Sequence, residues 1–279
     1  MSADPRLLLA KPGLAAGALE GIEPARAYAP TSTFQVASPA AWMRAAADES
    51  APAVSQLLFG ELLEVLEFRE GFAFGQSRRD GYVGHVRREA LAEEVIGPTH
   101  FLAARSAFAF AEPRVRAPPF GPLSLNALLA VEAEEGAFVR IARAGWISKR
   151  AIRPIGAPLV DPVRAAALMM GAPYLWAGRS AEGLDCSGLV QQALLACGAA
   201  SPRDADQQAL LGREVERSDL RRGDLVVWRG HIGFVAGAGD QLLHANAHHM
   251  AVARERLAGA LSRIAAAGGG DPLAFRRLS

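Results

Sequence analysis

The chain changes in pattern near Pro158, and this change limits the folds it can adopt. Before Pro158, short apolar runs are separated by Gly and Asp-Gly pairs, a pattern typical of short strands and tight turns. After it, two segments with helix start and stop signals come first, and apolar runs of strand length follow. A chain of 279 residues with such a division predicts two or three domains of different class.

The part before Pro158 predicts two small β-barrels in tandem. Strand-like runs occupy residues 55–68, 70–76 and 80–86, and a second set fills residues 123–152 around an acidic Glu-Glu-Gly turn. Each set has a Gly-aromatic strand near its end, which suggests two related barrels. The N-terminal segment is rich in Ala and Pro and predicts an extended leader. The predicted boundaries are 1–26 for the leader, 27–95 for the first barrel and 96–156 for the second.

The part after Pro158 predicts an α+β domain over residues 157–279. Residues 161–171 have Asp at the cap position, Pro at the first helical position and a Gly stop, so they predict a helix. A second helix leads to Gly198. Because antiparallel strands follow the helices, the whole chain reads as a multidomain α+β protein. The remaining predicted elements are strands at 224–228, 231–237, 241–246 and 273–278, and a helix that leads from 254 to a loop ending at 270.

Composition and charge exclude several classes of protein. Hydrophobic residues make up 51% and charged residues 21%, so the chain can bury full cores. A formal net charge of +1 gives no basic excess for nucleic acid or anionic lipid. No apolar run approaches the roughly 20 residues of a membrane span. Since the N-terminus has neither a basic n-region nor an apolar h-region, we expect a cytoplasmic protein, with a periplasmic or secreted location as the alternative.

The two cysteines lie on one predicted helix and differ in their surroundings. Cys186 and Cys197 are about 16 Å apart at 1.5 Å per residue, whereas a disulfide needs Cα atoms within about 7 Å. Cys197 ends the helix in the apolar run Leu-Leu-Ala-Cys-Gly, which favours an inert buried thiol. Cys186 follows Asp185, a good N-cap, and so begins the helix, where amides and the dipole favour a thiolate. Position alone leaves open whether Cys186 is structural or nucleophilic.

Two histidines make the nucleophilic interpretation of Cys186 stronger. His231 opens one predicted strand and His244 lies on the next, so a short turn could bring their rings side by side. A thiol, an imidazole base and a second residue that orients the base form a nucleophilic set. Zinc is the competing interpretation, with Cys186, His231, His244 and His248 as four ligands in number. The paired spacings of structural zinc sites are poorly represented, and His248 and His249 predict an exposed turn.

At this point the second part resembles the NlpC-type papain-like cell-wall cysteine peptidases. The stretches "APYLWAGRSAEGLDCSGLVQQAL", "RRGDLVVWRGHIGFVAG" and "LLHANAH" carry the resemblance, in the family's order. It implies a papain-like fold and a catalytic triad of Cys186, His231 and His244, with no cofactor and no metal ion. The preceding strands, with "SQLLFGE", "DGYVGHV" and "GWISKRAI", resemble the two bacterial SH3 domains of one branch of that family.

That branch hydrolyses the γ-D-glutamyl–L-diamino-acid bond of murein peptides with a free N-terminal L-Ala, so the resemblance implies this activity here. The diamino acid could be diaminopimelate or lysine. Ala177 stands where the family commonly has Gly, and this change is not expected to abolish activity. The residues implied to bind substrate are Tyr174 on the oxyanion side, Asp185 and Ser187 beside the cysteine, Asp204 at the substrate amine, and Glu61 and Tyr82 of the first SH3 domain closing the pocket over that amine.

With no signal peptide, the resemblance implies the recycling of imported murein peptides. Two other functions remain open at this stage. One is a secreted endopeptidase that acts on the intact wall, and the other is a non-catalytic wall-binding protein that uses its SH3 domains. The presence of Cys186, His231 and His244 together favours an enzyme, because a binding module needs no such set.

Overall fold

The computed structural model describes residues 4–278, so residues 1–3 of the predicted leader and Ser279 of the predicted catalytic domain lie outside the described residues. The chain divides into two units, Met1–Ile155 and Gly156–Ser279. The first contains β-strands and short 3₁₀ turns, and the second combines helices with an antiparallel sheet. The predicted α+β class of the second part is confirmed.

The first unit begins with a small sheet where the sequence predicts an extended leader. Leu9 and Ala16 of this region form an apolar cluster with Leu66 and Phe74. Because these side chains are buried against later strands, the segment is ordered as part of the unit. Its strands are β1 (Ala10–Lys11), β2 (Leu14–Ala16) and β3 (Ala27–Ala29), in the order β1-β2-β3.

A seven-stranded sheet follows, and all its strands lie within the range 27–95 predicted for the first barrel. Its core is formed by alternate residues such as Met43, Leu63 and Val86, each fully buried. The strand order is β10-β4-β7-β8-β9-β5-β6. The strands are β4 (Ser32–Val36), β5 (Ala40–Arg44), β6 (Ala53–Leu58), β7 (Leu62–Arg69), β8 (Phe72–Ser77), β9 (Val83–Arg87) and β10 (Leu91–Ala92).

The rest of the first unit has two sheets around a separate core. Leu102, Leu123, Val139 and Ile147 belong to this core. The sheet orders are β14-β11-β18 and β13-β12-β17-β16-β15. The strands are β11 (His100–Leu102), β12 (Ser106–Phe110), β13 (Pro119–Ser124), β14 (Leu128–Leu129), β15 (Val131–Glu135), β16 (Phe138–Ile141), β17 (Gly145–Ser148) and β18 (Ile152–Pro154).

The second unit places helices against a six-stranded antiparallel sheet of order β21-β26-β22-β23-β24-β25, with a separate pair β19-β20. Helices α1 and α2 pack on β23 and β24, and α4 packs on β24 and β25. The elements are α1 (Pro162–Ala167), β19 (Arg179–Ser180), β20 (Gly183–Leu184), α2 (Cys186–Ala196), α3 (Ala205–Gln208), β21 (Arg213–Glu214), β22 (Leu225–Trp228), β23 (His231–Ala236), β24 (Gln241–Asn246), β25 (Ala251–Arg256), α4 (Leu257–Ala266) and β26 (Ala274–Arg277).

Two predicted helices of the second unit are shorter in the structure. α1 keeps its Asp161 cap but ends at Ala167, because the chain turns so that the Gly171 N–H reaches the Val252 carbonyl oxygen. The helix predicted to begin at residue 254 begins at Leu257 instead. The three residues before it complete β25, whose backbone pairs with β24 over its whole length. The strand β25 was therefore missed by the sequence analysis.

None of the helices formed by residues 4–278 is long and apolar enough to cross a membrane.

Candidate active site

The thiol of Cys186 is the first side chain of α2, as the sequence predicts. Asp185 is the N-cap, and its Oδ1 accepts a hydrogen bond of 2.7 Å from the Gly188 backbone N–H. The Cys186 Sγ donates to the Gly230 carbonyl oxygen at 3.9 Å. The thiol is therefore held beside the residue that precedes β23, the strand that begins with His231.

A buried ion pair fixes the turn that presents this thiol. The Arg203 guanidinium donates two hydrogen bonds to the Asp185 carboxylate, from Nη1 to Oδ1 at 3.0 Å and from Nη2 to Oδ2 at 2.7 Å. Both side chains are almost fully buried. The Ala177 backbone N–H donates a hydrogen bond of 2.9 Å to Oδ2, and the Ser187 hydroxyl donates one of 3.1 Å to Oδ1. The Asp185 carboxylate thus links the start of α2 to the loop that contains Ala177 and to the segment that contains Arg203. A charge-assisted bidentate pair fixes such a link with high geometric specificity.

The two histidines predicted for the site meet on one face of the sheet. His231 is opposite Trp228 at the start of β23, and His244 lies in the middle of β24. Residues two apart on a strand share a face, and the pairing of Phe234 with Leu243 places both rings on the same side. The His231 Nε2 is 2.8 Å from the His244 Nδ1. The sequence-based prediction that the rings lie side by side is confirmed.

A carboxylate that the sequence analysis missed continues this line of contacts. Glu255 lies on β25 opposite Leu242, so it shares the face of His244. Its Oε1 is 2.9 Å from the His244 Nε2. Arg263 of α4 donates to the same oxygen. Residues 251–256 are Ala-Val-Ala-Arg-Glu-Arg, three apolar residues followed by three charged ones, so no alternation of apolar and polar residues indicated a strand there.

The competing zinc set is not assembled. Within residues 4–278, the imidazole and carboxylate groups close enough to share an ion are His244, His249 and Glu255, whose ligand atoms lie within 4.8 Å of one another. Cys186 and His248 are not part of that group. The Arg263 guanidinium forms an ion pair with Glu255, and the His249 Nδ1 contacts the Asn246 Oδ1 at 3.0 Å. We therefore interpret these groups as hydrogen-bond partners rather than as metal ligands.

Comparison with known proteins decides the family of this site. The NlpC/P60 family matches residues 171–264, which include Cys186, His231, His244 and Glu255. The chain contains an NlpC/P60 domain. A bacterial dipeptidyl-peptidase Sh3 domain matches residues 43–91 of the first unit. The predicted family branch, with SH3 before NlpC, is confirmed, whereas the second SH3 barrel stays a prediction.

Curated relatives match parts of the chain. A γ-D-glutamyl-L-lysine dipeptidyl-peptidase of Bacillus subtilis is 38% identical over 90 residues, covering 29% of this chain and 30% of the relative. A probable endopeptidase of Mycobacterium tuberculosis is 37% identical over 97 residues, covering 30% of this chain and 25% of the relative. The matches thus span less than a third of each relative's length.

A solved structure agrees with the fold over most of the chain. The crystal structure of an NlpC/P60 family protein from Bacillus cereus superposes with a TM-score of 0.75 and 19% sequence identity. The match covers 88% of this chain and 99% of that protein. At this level of identity, the likeness shows a shared fold.

Burial keeps the thiol of the NlpC/P60 domain neutral in this structure. Loss of solvent and the nearby Asp185 charge raise the pKa of Cys186 to about 12, although the Ile232 and Ser187 backbone N–H groups act in the opposite direction. Burial and the neighbouring His244 lower the pKa of His231 to about 3. The position of Cys186 at a helix start predicts a thiolate. Desolvation outweighs the amides here, so the resting pair is a thiol and a neutral imidazole.

The implied substrate residues of the NlpC/P60 domain have distinct surroundings. Tyr174 is half-buried, and burial, together with the neighbouring Cys186 and Asp185, raises the pKa of its hydroxyl to about 12. Asp204 is the partly buried N-cap of α3, where its side chain forms a capping box with Gln207. Asp185 and Ser187 are both buried and bonded to Arg203. Their roles as substrate contacts stay predictions.

The two residues predicted in the SH3 domain are buried within the first unit. Glu61 is 1% exposed, with its Oε2 3.0 Å from the Leu58 backbone N–H and its Oε1 3.1 Å from the Arg79 Nε. Tyr82 belongs to the apolar core of the seven-stranded sheet. Their predicted role at the substrate amine stays a prediction.

Cys197 is the C-cap of α2 and is free, like Cys186. It is partly exposed rather than buried. The prediction that the two thiols do not pair is confirmed, and the prediction that the Cys197 thiol is buried is wrong, because the helix ends there and the chain turns at Gly198.

Proposed function

We propose that this protein is a cysteine peptidase that hydrolyses the γ-D-glutamyl–L-diamino-acid bond of peptidoglycan stem peptides with a free N-terminal L-Ala. One observation carries the proposal: the thiol at the start of α2 adjoins β23, whose first residue, His231, is bonded to His244. The Bacillus subtilis relative is named a γ-D-glutamyl-L-lysine dipeptidyl-peptidase, which supports this bond as the target.

The first half of the reaction forms a thioester. His231 takes the Cys186 proton, and the sulfur attacks the γ-carbonyl carbon of D-glutamate. The oxyanion accepts hydrogen bonds from the Cys186 backbone N–H, since N–H groups in the first turn of a helix have no intrahelical partner. When the C–N bond breaks, His231 returns its proton to the leaving amine of the diamino acid.

The second half regenerates the thiol. Water attacks the thioester carbon while His231 accepts its proton, and the L-Ala–D-Glu product leaves with a new carboxyl group. Cys186 then takes the proton back from His231. Because burial raises the pKa of Cys186 and lowers the pKa of His231, both groups are neutral at rest, and His231 acts as the base that takes the thiol proton during the attack.

Several finer features belong to the same proposal. Asp204, Tyr174, Glu61 and Tyr82 are proposed to contact the substrate, with a carboxylate recognising the free amine. An acetylated amine would leave such a charge unpaired, which a polar pocket rejects strongly. The strands of residues 100–154 are proposed as a second SH3-like barrel, supported by their own apolar core. The cytoplasmic location and the recycling role stay predictions, which cell fractionation tests.

Peptide cleavage tests the proposal. The protein is incubated with L-Ala-γ-D-Glu-meso-diaminopimelate, its L-lysine analogue and the N-acetylated form of each, alongside Cys186→Ala. We expect release of the free diamino acid from the unacetylated peptides and none with Cys186→Ala. Failure to cleave either free peptide, while the protein binds intact wall, would favour the non-catalytic alternative. Equal cleavage of free and acetylated peptides would remove the amine selectivity, and faster cleavage of intact wall would favour the endopeptidase.

A further inference from the structure

A carboxylate and a guanidinium stand behind the two histidines. Glu255 reaches His244 from β25, and Arg263 reaches Glu255 from α4. The side chain of Glu255 is 18% exposed and that of Arg263 26%. The same Glu255 oxygen, Oε1, serves both contacts, so the carboxylate is held from two elements at once.

The direction of each hydrogen bond follows from the chemistry of Glu255. An ionised carboxylate only accepts, so the nitrogen facing it, the His244 Nε2, must carry the hydrogen. A neutral imidazole has one N–H, which leaves the His244 Nδ1 as an acceptor. The His231 Nε2 must then donate across the 2.8 Å contact. The remaining nitrogen of His231, Nδ1, keeps its lone pair.

The surroundings of Glu255 and of the two histidines set their charge states. Burial pushes the pKa of Glu255 upward, but the hydrogen bonds from Arg263 and His244 outweigh it, and the net pKa is lowered. Burial lowers the pKa of His244 to about 4, against the opposing effect of Glu255. Glu255 is therefore ionised and both imidazoles are neutral near pH 7. The His249 ring, from the turn after β24, also lies beside the His244 ring, and the Cys186 thiol of α2 contacts Gly230, the residue before His231.

We propose that Glu255, held by Arg263, is a positioning residue that fixes the tautomers of His244 and His231. It thereby leaves the His231 Nδ1 as the acceptor of the Cys186 proton. The catalytic meaning of this step rests on the proposed function, but the tautomers themselves do not. Helix α4 thereby supports the active site, because its residue Arg263 holds the Glu255 carboxylate.

Nitrogen NMR of the histidine rings tests the tautomers without substrate. Ring-nitrogen shifts separate a protonated nitrogen from a bare one, so the wild-type protein near neutral pH gives a direct answer. We expect hydrogen on Nε2 and a bare Nδ1 in both His231 and His244. In Glu255→Leu, which removes the acceptor, we expect His244 to populate the other tautomer. A wild-type His231 that carries its hydrogen on Nδ1 would overturn the proposal.

Kinetics on the free peptide test the consequence. Glu255→Gln keeps a carbonyl oxygen that can accept from both His244 and Arg263, so we expect a loss in kcat of about 10-fold or less. Glu255→Leu loses the acceptor, and we expect kcat to fall by about 10²-fold or more with little change in KM, since loss of a tautomer-fixing carboxylate can cost up to about 10⁴. Arg254→Gln is the matched control, an exposed residue on the opposite face of the same strand, and it should retain kcat within about 2-fold.

The outcomes separate this proposal from the function it rests on. Thermal unfolding of each variant establishes that it is folded. If folded Glu255→Leu keeps wild-type kcat and wild-type tautomers, the positioning role is wrong and the peptidase stands. If Glu255→Gln keeps the wild-type tautomers by NMR and still loses as much kcat as Glu255→Leu, the charge and not the tautomer matters, which also contradicts the proposal. If the wild-type protein cleaves no peptide, the function fails, while the NMR result still decides the tautomers.

Discussion

Removing Arg203 should loosen the start of the catalytic helix by about 3 kcal/mol. Arg203 and Asp185 form a buried bidentate pair with side chains 1% and 7% exposed. Removing one partner of such a pair costs about 3–5 kcal/mol, because the other charge stays buried. Asp185 keeps three donors, from Ala177, Gly188 and Ser187, so Arg203→Met should fall at the lower end of that range.

Hydrogen exchange of the α2 amides measures this loss in the second unit alone. A change of 3 kcal/mol corresponds to protection lower by about 10²-fold. The matched control is Arg222→Met, which removes an arginine from Asp161, the cap of α1. That pair is 39% and 26% exposed, and exposed pairs contribute about 1 kcal/mol or less. Arg222→Met should therefore lower the protection of the α2 amides by less than about 5-fold.

A paired variant separates the charge from the packing. Asn is as good an N-cap as Asp, so Asp185→Asn keeps the cap while removing the buried charge. Combined with Arg203→Met, it should recover part of the lost protection. The reasoning is refuted if Arg203→Met changes α2 protection no more than Arg222→Met, since burial would then add nothing to the pair.

Three further predictions concern the same unit. Ala177 has φ of 63° and is buried, so Ala177→Gly should raise the free energy of unfolding by about 0.5–1 kcal/mol in urea titration, and a loss would contradict the strain. At Gly188 an added methyl would meet the Gly178 carbonyl oxygen at 2.4 Å. Gly188→Ala should therefore lower the free energy of unfolding by about 1–3 kcal/mol and lower kcat. An unchanged kcat would show that the first turn of α2 does not position the thiol. Because folded His231 and His244 have pKa values of about 3 and about 4 against about 6.5 when unfolded, the unfolded chain binds more protons below about pH 6.5. Stability should therefore fall between about pH 7 and about pH 5, with a shallower fall in His244→Asn; equal slopes would show that other groups cause it.

Local signals made the position of the thiol predictable. Asp185 before an apolar helical run is a cap signature, and it places Cys186 at the helix start in the structure. His231 and His244 were predictable as neighbours because a short turn joins their strands. The resemblance to a known family added their roles, which remain proposals.

Contacts between distant segments account for what sequence missed. Arg203 is 1% exposed, whereas arginine is seldom buried unless it is paired, and its partner is Asp185, 18 residues away. Glu255 lies in a strand because β25 pairs with β24, and its charge is accommodated by Arg263 from the following helix. The pKa of Cys186 depended on burial by the folded domain, which the helix start alone does not reveal.

Trapping the covalent intermediate tests the central claim most directly. The protein is mixed with L-Ala-γ-D-Glu-meso-diaminopimelate, quenched in acid within the first turnover, before the thioester is hydrolysed, and digested for mass spectrometry. We predict that the peptide containing Cys186 gains the mass of the L-Ala–D-Glu acyl group, that Cys197 does not, and that free diaminopimelate appears in equal amount. Release of diaminopimelate without a thioester on Cys186, or with cleavage undiminished in Cys186→Ala, would contradict the account.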